Sequence, residues 1–418
     1  MKLGFSKKIW LFLIGSFAYG LGQAFMMLFL NFYLKSLGLD DSHTGLVNAL
    51  PAFTSAALSI PAVLLSRRFG EVRTMKLGTI IGLSGILCIT FANGPLVALV
   101  GSFLQGIGSA FIMVATSPFM AKESTPSNRV TLFSIQMALS TGAGFLGNLI
   151  GGSVPQWYGH FTGSGVDSVP ALRTALIVAT VFQLMGLFSV LLIENDEEIV
   201  HTPGQKRPGF QVENKRFMFF LVASGMPVGI GAGLTIPYLN IFIEGKFGID
   251  FQTLGSLFGW TSLATAATVL IQPYLVRRLG HLRTGLMVEI ASLPFLALLG
   301  FSSHLWLVII AMFTRGALMN ATGPAYNTYA MEHLSKEDRP VYSALGMISW
   351  STTWAIAASV SGFFRQMMGP ARQQEAFQYL FAGTLIMYAL SMLMRYVLLY
   401  LPYKRQMVHT LEESSWTN

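Results

Sequence analysis

Cysteine is nearly absent from this sequence: Cys88 is the only one, and it lies within an apolar run. A lone cysteine can form no disulfide within the chain and cannot build a cysteine-based metal site. Charged residues are also scarce, at 11% of the 418 residues, whereas hydrophobic residues make up 53%. This balance lies outside the range of soluble globular proteins, so the composition predicts a membrane protein.

Enzyme and nucleic-acid-binding motifs are missing as well. The sequence has no phosphate-binding loop, no His-x-x-x-His pair on a helix and no nucleophile elbow. Its formal net charge of +8 is not arranged as a basic patch interleaved with exposed aromatic residues. We therefore predict that the protein is not an enzyme, binds no nucleic acid, and needs no cofactor or metal ion.

What the sequence does contain is a series of twelve apolar segments, each long enough to span a bilayer. We call them spans 1 to 12; they lie near residues 9–35, 42–66, 75–92, 95–120, 130–153, 171–193, 217–243, 251–276, 284–302, 304–331, 341–363 and 375–401. Lys and Arg are concentrated in both termini and in every second loop, which predicts that both termini are cytoplasmic. The first apolar run continues through Phe32 without a clear cleavage site, so we interpret it as a retained span of a cytoplasmic-membrane protein.

The second half of the chain repeats features of the first at an offset of 209 or 210 positions. The repeated features are the pairs Asn31 and Asn240, Asp40 and Asp250, Gly45 and Gly255, and the loop residues Arg67, Arg68 and Gly70 with Arg277, Arg278 and Gly280. A repeat of this length predicts an internal duplication. We expect a six-helix bundle over residues 1–193, a cytoplasmic linker over 194–216, and a second bundle with a short cytoplasmic tail over 217–418.

Six plus six spans, with a basic Arg-Gly loop after the second span of each half, resemble the major facilitator superfamily of secondary transporters. The family's loop pattern, Gly-x-Leu-Ala-Asp-basic-aromatic-Gly-basic-basic, is matched by Arg68, Phe69 and Gly70, but Arg67 stands at the Asp position. Span 4 carries Gln-Gly-Ile-Gly at 105–108 and span 5 ends in Gly-Gly at 151–152, which match parts of the drug-exporter motifs. Ser102 stands where the span-4 motif has Arg, and Asn148 stands where the span-5 motif has Pro, so both motifs are degenerate. The resemblance implies an all-α membrane fold of two pseudo-symmetric six-helix bundles, close to the drug-exporter branch.

We also expect a gating role for the two repeated loops. Their members are Arg67, Arg68, Gly70, Arg277, Arg278 and Gly280. We expect these arginines to keep their loops cytoplasmic and to contact the negative C-terminal ends of nearby helices when the cytoplasmic side closes.

Few ionisable residues lie within the spans, where each costs roughly 2.5 kcal/mol or more. Glu289 of span 9 and Arg395 of span 12 lie at similar depth and predict a structural ion pair, with a coupling role as the alternative. Arg315 lies near the middle of span 10. It is either an anchor for an anionic or carbonyl group of a substrate or a donor to backbone carbonyls.

The remaining candidates for substrate binding are neutral. The resemblance places spans 1, 4, 7 and 10 around a central path, with contributions from spans 5, 8 and 11. The candidates are Gln23, Asn31, Gln105, Met113, Gln136, Asn148, Tyr238, Asn240, Asn320, Tyr326, Trp350 and Trp354, together with Arg315. Together they predict an aromatic, amide-lined cavity that is poor in charge, although each one is equally compatible with packing between helices.

Three functions follow from these features. The leading prediction is a monomeric secondary transporter that exports small, lipophilic or amphipathic molecules by alternating access, with protons as the coupling ion. The second is a facilitator or importer of an organic anion held by Arg315. The third, from another class, is a ligand sensor or lipid-handling scaffold that produces no flux.

Overall fold

The computed structural model describes residues 4–195 and 212–404 of the chain. Within these ranges the regular structure is helical, and no strand occurs. The α-helices are α1 (Lys7–Ser36), α2 (Asp41–Phe69), α3 (Glu71–Thr90), α4 (Pro95–Glu123), α5 (Arg129–Gly151), α6 (Val154–Thr162), α7 (Val169–Leu191), α8 (Lys215–Thr235), α9 (Leu239–Phe247), α10 (Phe251–Leu279), α11 (His281–Phe301), α12 (Leu305–His333), α13 (Asp338–Met368) and α14 (Gln373–Arg395). Short 3₁₀ turns precede α9 and α14, and a π-helical turn, Tyr396–Tyr400, follows α14.

Every predicted span coincides with a helix, and the all-α membrane fold is confirmed. Span 5 corresponds to α5 and is followed by the short helix α6, whereas span 7 is divided into α8 and α9. Ten segments of the described chain are long and apolar enough to cross a membrane. The other two spans correspond to α10 and α13, which are 29 and 31 residues long but carry many Ser, Thr and Gly residues. Most of the predicted linker, residues 196–211, and the tail after 404 lie outside the described residues.

The backbone conformation of the two repeated loops explains why each of them contains a glycine. Gly70 separates α2 from α3 with φ 88°, and Gly280 separates α10 from α11 with φ 77°. Residues with a side chain rarely adopt these angles, so each sharp turn requires glycine. The arginine pair before each glycine occupies the last turn of its helix, where positive charge is favourable. Their predicted role in gating stays a prediction.

The described chain forms two compact units. The first contains residues 4–195, 236–263 and 358–377, and the second contains residues 212–235, 264–357 and 378–404. The first unit thus contains the whole first repeat together with α9, the start of α10, the end of α13 and the start of α14. The sequence analysis divided the chain at a linker over residues 194–216, between the two repeats. That division stays a prediction.

Small residues allow helices to approach closely in both units, as expected where lipid provides no hydrophobic drive for helix association. In the first unit, Gly85 of α3 and Gly101 of α4 each lie so close to the other's backbone that a Cβ atom would collide. In the second unit, Gly285 of α11 lies against the ring of Tyr326 of α12. Buried hydroxyl groups add hydrogen bonds, such as that from Ser391 to the carbonyl of Ser224 at 2.7 Å.

Candidate functional site

The first unit contains an open cavity of about 450 Å³, which lies within the usual range for sites of drug-sized ligands. We call it the amide cavity. Its polar lining comes from Ser16, Tyr19, Gln23, Thr79, Thr116, Gln136, Ser140, Asn148 and Ser262, and its larger apolar side chains are Phe12, Met27, Met75, Ile112 and Val190. None of the described residues that line it carries a formal charge.

Hydrogen bonds fix several of these polar groups. The amide oxygen of Gln23 accepts from Gln183 at 3.1 Å, and Asn148 donates to the carbonyl of Gly144 at 2.8 Å. The hydroxyls of Thr79 and Thr116 both donate to carbonyls of their own helices, at 2.8 and 2.7 Å. Because the hydroxyl hydrogens are used in this way, the two threonines present acceptor lone pairs to the cavity. The site therefore offers directional hydrogen bonds without fixed charge.

The structure brings only some of the sequence candidates together here. Gln23, Gln136 and Asn148 line the amide cavity, whereas Gln105 and Met113 of α4 do not. Met113 is 58% exposed, and the neighbouring Ile112 lines the cavity instead. Each step along a helix turns by about 100°, so an error of one residue moves a side chain to another face.

Residues that the sequence reasoning did not single out also line the cavity. They include Met75 and Thr79 of α3, Ser140 of α5 and Ser262 of α10. Ser140 could have been found because it follows Gln136 by one helical turn. The α3 residues carry no such signal, and span 3 was not among the spans placed around the central path.

Asn31 and Asn240 lie elsewhere in the first unit, in a buried polar cluster. The amide of Asn31 donates to the side-chain oxygen of Asn240 at 3.0 Å, and Asn240 donates to the carbonyl of Leu28 at 2.8 Å. Asn48 completes the set by donating to Asn31 at 2.7 Å. These bonds join α1, α2 and α9, so the two asparagines connect helices instead of lining the amide cavity.

A second buried cluster surrounds Arg365, at the C-terminal end of α13. Its side chain is fully buried, donates to Asp41 at 2.6 Å, and lies over the ring of Tyr238 at 4.1 Å. Gln373 also donates to Asp41, at 2.7 Å. Tyr238, expected to bind substrate, donates its hydroxyl to the carbonyl of Ala358 at 2.7 Å. The sequence reasoning missed Arg365 because it lies just beyond the end of span 11.

Asp40, the residue before Asp41, is the N-cap of α2. Burial raises the pKa of the Asp40 carboxyl, but hydrogen bonds from the backbone of His43 and the hydroxyl of Ser42 outweigh that effect and lower it. The His43 ring, 2.7 Å away, acts in the same direction. Asp40 therefore stays ionised and caps α2.

The second unit contains a smaller cavity of about 150 Å³, which we call the aromatic cavity. Tyr326, Tyr342, Trp350 and Arg395 are among its lining residues. The guanidinium of Arg395 binds the carboxylate of Glu289, and it lies 3.9 Å from the centre of the Tyr326 ring. The Tyr326 hydroxyl donates to the same carboxylate at 2.9 Å, and Glu289 is 1% exposed. The charges of Glu289 and Arg395 are therefore paired, and the carboxylate accepts hydrogen bonds from both Arg395 and Tyr326.

The two cavities are built from equivalent positions of the two repeats. The pairs that line them are Gly15 and Gly225, Thr116 and Tyr326, Gln136 and Gly346, and Ser140 and Trp350, each 210 positions apart. Thr79, which lines the first cavity, likewise corresponds to Glu289. The duplication has thus preserved the positions while their chemistry diverged, with amides in one unit and aromatic rings beside an ion pair in the other.

The other candidates of the second unit do not gather at one place. Arg315 is buried and donates to the hydroxyl of Tyr388 of α14 at 2.9 Å, and it lines neither cavity. Asn320 is exposed and donates to the carbonyl of Gly316. Trp354 is half-buried, with its ring centre 6.0 Å from that of Trp350.

Comparisons with known proteins agree with this architecture. The family model described as Major Facilitator Superfamily matches residues 12–288 and 221–417. Over 159 residues the chain is 24% identical to the Quinolone resistance protein NorB of Staphylococcus aureus; the match covers 37% of this chain and 31% of NorB. The chain therefore spans about a third of the length of the curated relatives it matches.

Solved transporter structures have the same fold. A bacterial homologue of the human lysosomal transporter Spinster, inward-facing and occupied, superimposes with a TM-score of 0.75 at 14% identity, covering 93% of this chain and 96% of that one. The nucleoside transporter NupG superimposes with a TM-score of 0.69 at 14% identity, covering 94% and 99%. At such identities the likeness establishes the fold alone.

Proposed function

Since this chain belongs to the Major Facilitator Superfamily, we propose that it exports a small, lipophilic or amphipathic molecule across the cytoplasmic membrane by alternating access. Membership makes it a multi-pass membrane transporter of a small molecule rather than an enzyme. The class of substrate, the direction of transport, the coupling to protons and the monomeric state are parts of our proposal.

The observation that carries the proposal is the absence of charge from the lining of the amide cavity, within the described residues. Moving an unpaired charge from water into a low-dielectric cavity is costly, so a cavity without a counter-ion disfavours ions. Neutral groups of a lipophilic molecule can use the amides and hydroxyls, while its apolar parts contact Phe12, Met27 and Met75. Methionine side chains adapt to different shapes, which suits a site of broad specificity. A relative named for quinolone resistance supports export as the direction of transport.

Close contacts within the first unit support alternating access. Gly45 of α2 packs against Gly362 of α13, and Gly152, which follows α5, packs against Gly255 of α10. These two contacts are equivalent, because 45 and 255, like 152 and 362, are 210 positions apart. The Asn31–Asn240 bond pairs equivalent residues with each other. We propose that these contacts form a closed gate on the side opposite the Arg67–Gly70 loop, and that this side is external.

Proton coupling requires a carboxylate that can gain and lose a proton within the transporter. We propose Glu289, which contacts Arg395 and Tyr326 of the aromatic cavity. The carboxylates of Asp40, Asp41 and Glu244 lie at helix ends instead.

An organic-anion transporter anchored by Arg315 has less support. The guanidinium of Arg315 binds Tyr388, and the residue lines neither cavity. An anion could bind Arg315 only if the hydrogen bond from Arg315 to Tyr388 were broken first.

Flux in proteoliposomes tests the proposal. A neutral lipophilic dye is loaded, and its flux is measured with and without a pH gradient. Faster flux in the presence of the pH gradient supports a proton-coupled exporter. Equal flux with and without the gradient supports a facilitator. Binding of the dye without flux would favour the sensor or scaffold and overturn the proposal.

A further inference from the structure

A groove of about 690 Å³ runs along the outer surface of the second unit. It lies between α11 and the C-terminal end of α14 with its π-helical turn. The groove is lined by Leu279, Arg283, Leu286, Met287, Ile290, Met392, Leu393, Tyr396, Tyr400 and Lys404. Two of these described residues are cationic and none is acidic. Neither repeat cavity shares a residue with it.

The floor of this groove is apolar and open to the surroundings. Met287, Ile290 and Leu393 are 56%, 57% and 59% exposed. On helices that cross a membrane, such side chains contact lipid hydrocarbon. The floor is therefore suited to an acyl chain lying along α11 and α14.

Cations and tyrosine rings form the polar end of the groove. Arg283 lies in the first turn of α11, with its guanidinium 5.8 Å from the centre of the Tyr400 ring. The rings of Tyr400 and Tyr396 stack at 5.5 Å. Lys404 follows one turn beyond Tyr400 and is exposed. Both cations lie at the end of the helices that carries the Arg277–Arg278 pair, and tyrosine is common at this depth of a membrane protein. The π-helical turn is a local feature often found at functional sites.

We propose that this groove binds one anionic phospholipid of the cytoplasmic leaflet. Its phosphate contacts Arg283 and Lys404, and the ring of Tyr400 holds the guanidinium in place. One acyl chain lies over Leu286, Ile290 and Leu393. Two cations and no acidic lining residue favour an anionic head group, and the long apolar floor favours a lipid over free phosphate.

The first repeat lacks this arrangement. Arg73 corresponds to Arg283, but Gly186 and Val190 stand where the second repeat has Tyr396 and Tyr400, and Glu194 stands where it has Lys404. The site is thus specific to the second repeat. Arg73 is also exposed and lies in the first turn of its helix, so Arg73→Gln removes the same charge at the equivalent position of the first repeat. It is a matched control.

Thermal unfolding of the full chain in a neutral detergent tests the proposal. Dioleoylphosphatidylglycerol and dioleoylphosphatidylcholine are titrated separately, and bound lipids are counted by native mass spectrometry. The wild type is expected to gain a larger increase in Tm from phosphatidylglycerol than from phosphatidylcholine, with one lipid retained. Each lost cation should weaken phosphatidylglycerol binding about fivefold, so Arg283→Gln with Lys404→Gln should remove the difference. Arg73→Gln should keep it.

The altered side chains are exposed, so the Tm of each variant without lipid shows whether it is folded. Leu393→Trp, which fills the floor, should reduce lipid retention while both cations remain. Equal effects of the two lipids on the wild type would overturn the proposal, as would a full phosphatidylglycerol effect in the double variant. An equal gain in Tm from inorganic phosphate alone would assign the cations to a phosphate site instead of a lipid site.

Discussion

Arg365 and Asp41 are 324 positions apart in the sequence, yet they form an ion pair of 2.6 Å. The arginine side chain is fully buried, and the aspartate side chain is 25% exposed. The pair joins the end of α13 to the start of α2, beside the packed Gly45 and Gly362. The pair thus lies within the proposed external gate.

Removal of this ion pair should open the gate. Breaking a buried pair costs about 3–5 kcal/mol, and the partial exposure of Asp41 lowers this to about 2 kcal/mol, or about thirtyfold in the gate equilibrium. We expect Asp41→Asn to increase labelling of Ser140→Cys, on the wall of the amide cavity, by an impermeant maleimide from outside. Cys88→Ser provides the cysteine-free background. Arg372→Gln, which removes an exposed charge from the Arg372–Glu375 pair, is the control. Equal labelling of both variants would exclude the pair from the gate.

The glycine contacts should matter for the same gate. A Cβ atom at position 45 would lie 2.9 Å from the Cα of Gly362, and backbone atoms cannot move aside as a flexible side chain can. Gly45→Ala should therefore favour the open gate and raise the same external labelling. Gly142→Ala is the matched control, because a Cβ atom there meets nothing within 4 Å. If Gly45→Ala leaves labelling at the wild-type level, the contact is only packing.

The amide cavity should determine substrate affinity. We expect Gln136→Ala to raise the KM for a neutral lipophilic dye about fivefold, since a lost hydrogen bond costs about 1 kcal/mol. Met113→Ala should leave the KM unchanged, because Met113 lies outside the cavity. Dye flux at several concentrations gives both values. A raised KM in Met113→Ala together with an unchanged KM in Gln136→Ala would place the substrate on the α4 face that contains Met113.

Glu289 should couple export to protons. Glu289→Gln keeps a hydrogen-bonding side chain beside Arg395 and Tyr326 but cannot exchange a proton. We expect it to abolish acceleration by a pH gradient while downhill flux persists. Retained acceleration with a lower Tm would assign Glu289 a purely structural role. Glu289→Ala should be less stable by about 3–5 kcal/mol, because it leaves Arg395 buried without its partner.

Arg315 should be dispensable for transport of neutral substrates. Arg315→Ala removes the donor to Tyr388, so we expect a lower Tm with unchanged dye flux. Uptake of a labelled carboxylate by the wild type, abolished in this variant, would restore the organic-anion hypothesis.

Part of the candidate site was predictable from the sequence. Gln136 and Asn148 were both candidates of span 5, and both line the amide cavity. Asn31 and Asn240 were recognised as equivalent residues, but their direct bond could not be foreseen. Two equivalent side chains meet only if the folded chain brings them together, and the repeat alone does not specify that.

The sequence by itself determined that the chain is helical, lies in a membrane and consists of two related halves, because bilayer thickness fixes the length of each apolar segment. The tertiary structure alone decided that Ile112 rather than Met113 lines the amide cavity, and that Arg365 reaches Asp41. In a soluble helix the contrast between core and water marks the buried face. In a membrane helix both the lipid-facing and the packed faces are apolar, so contacts between residues remote in sequence decide which side chains meet.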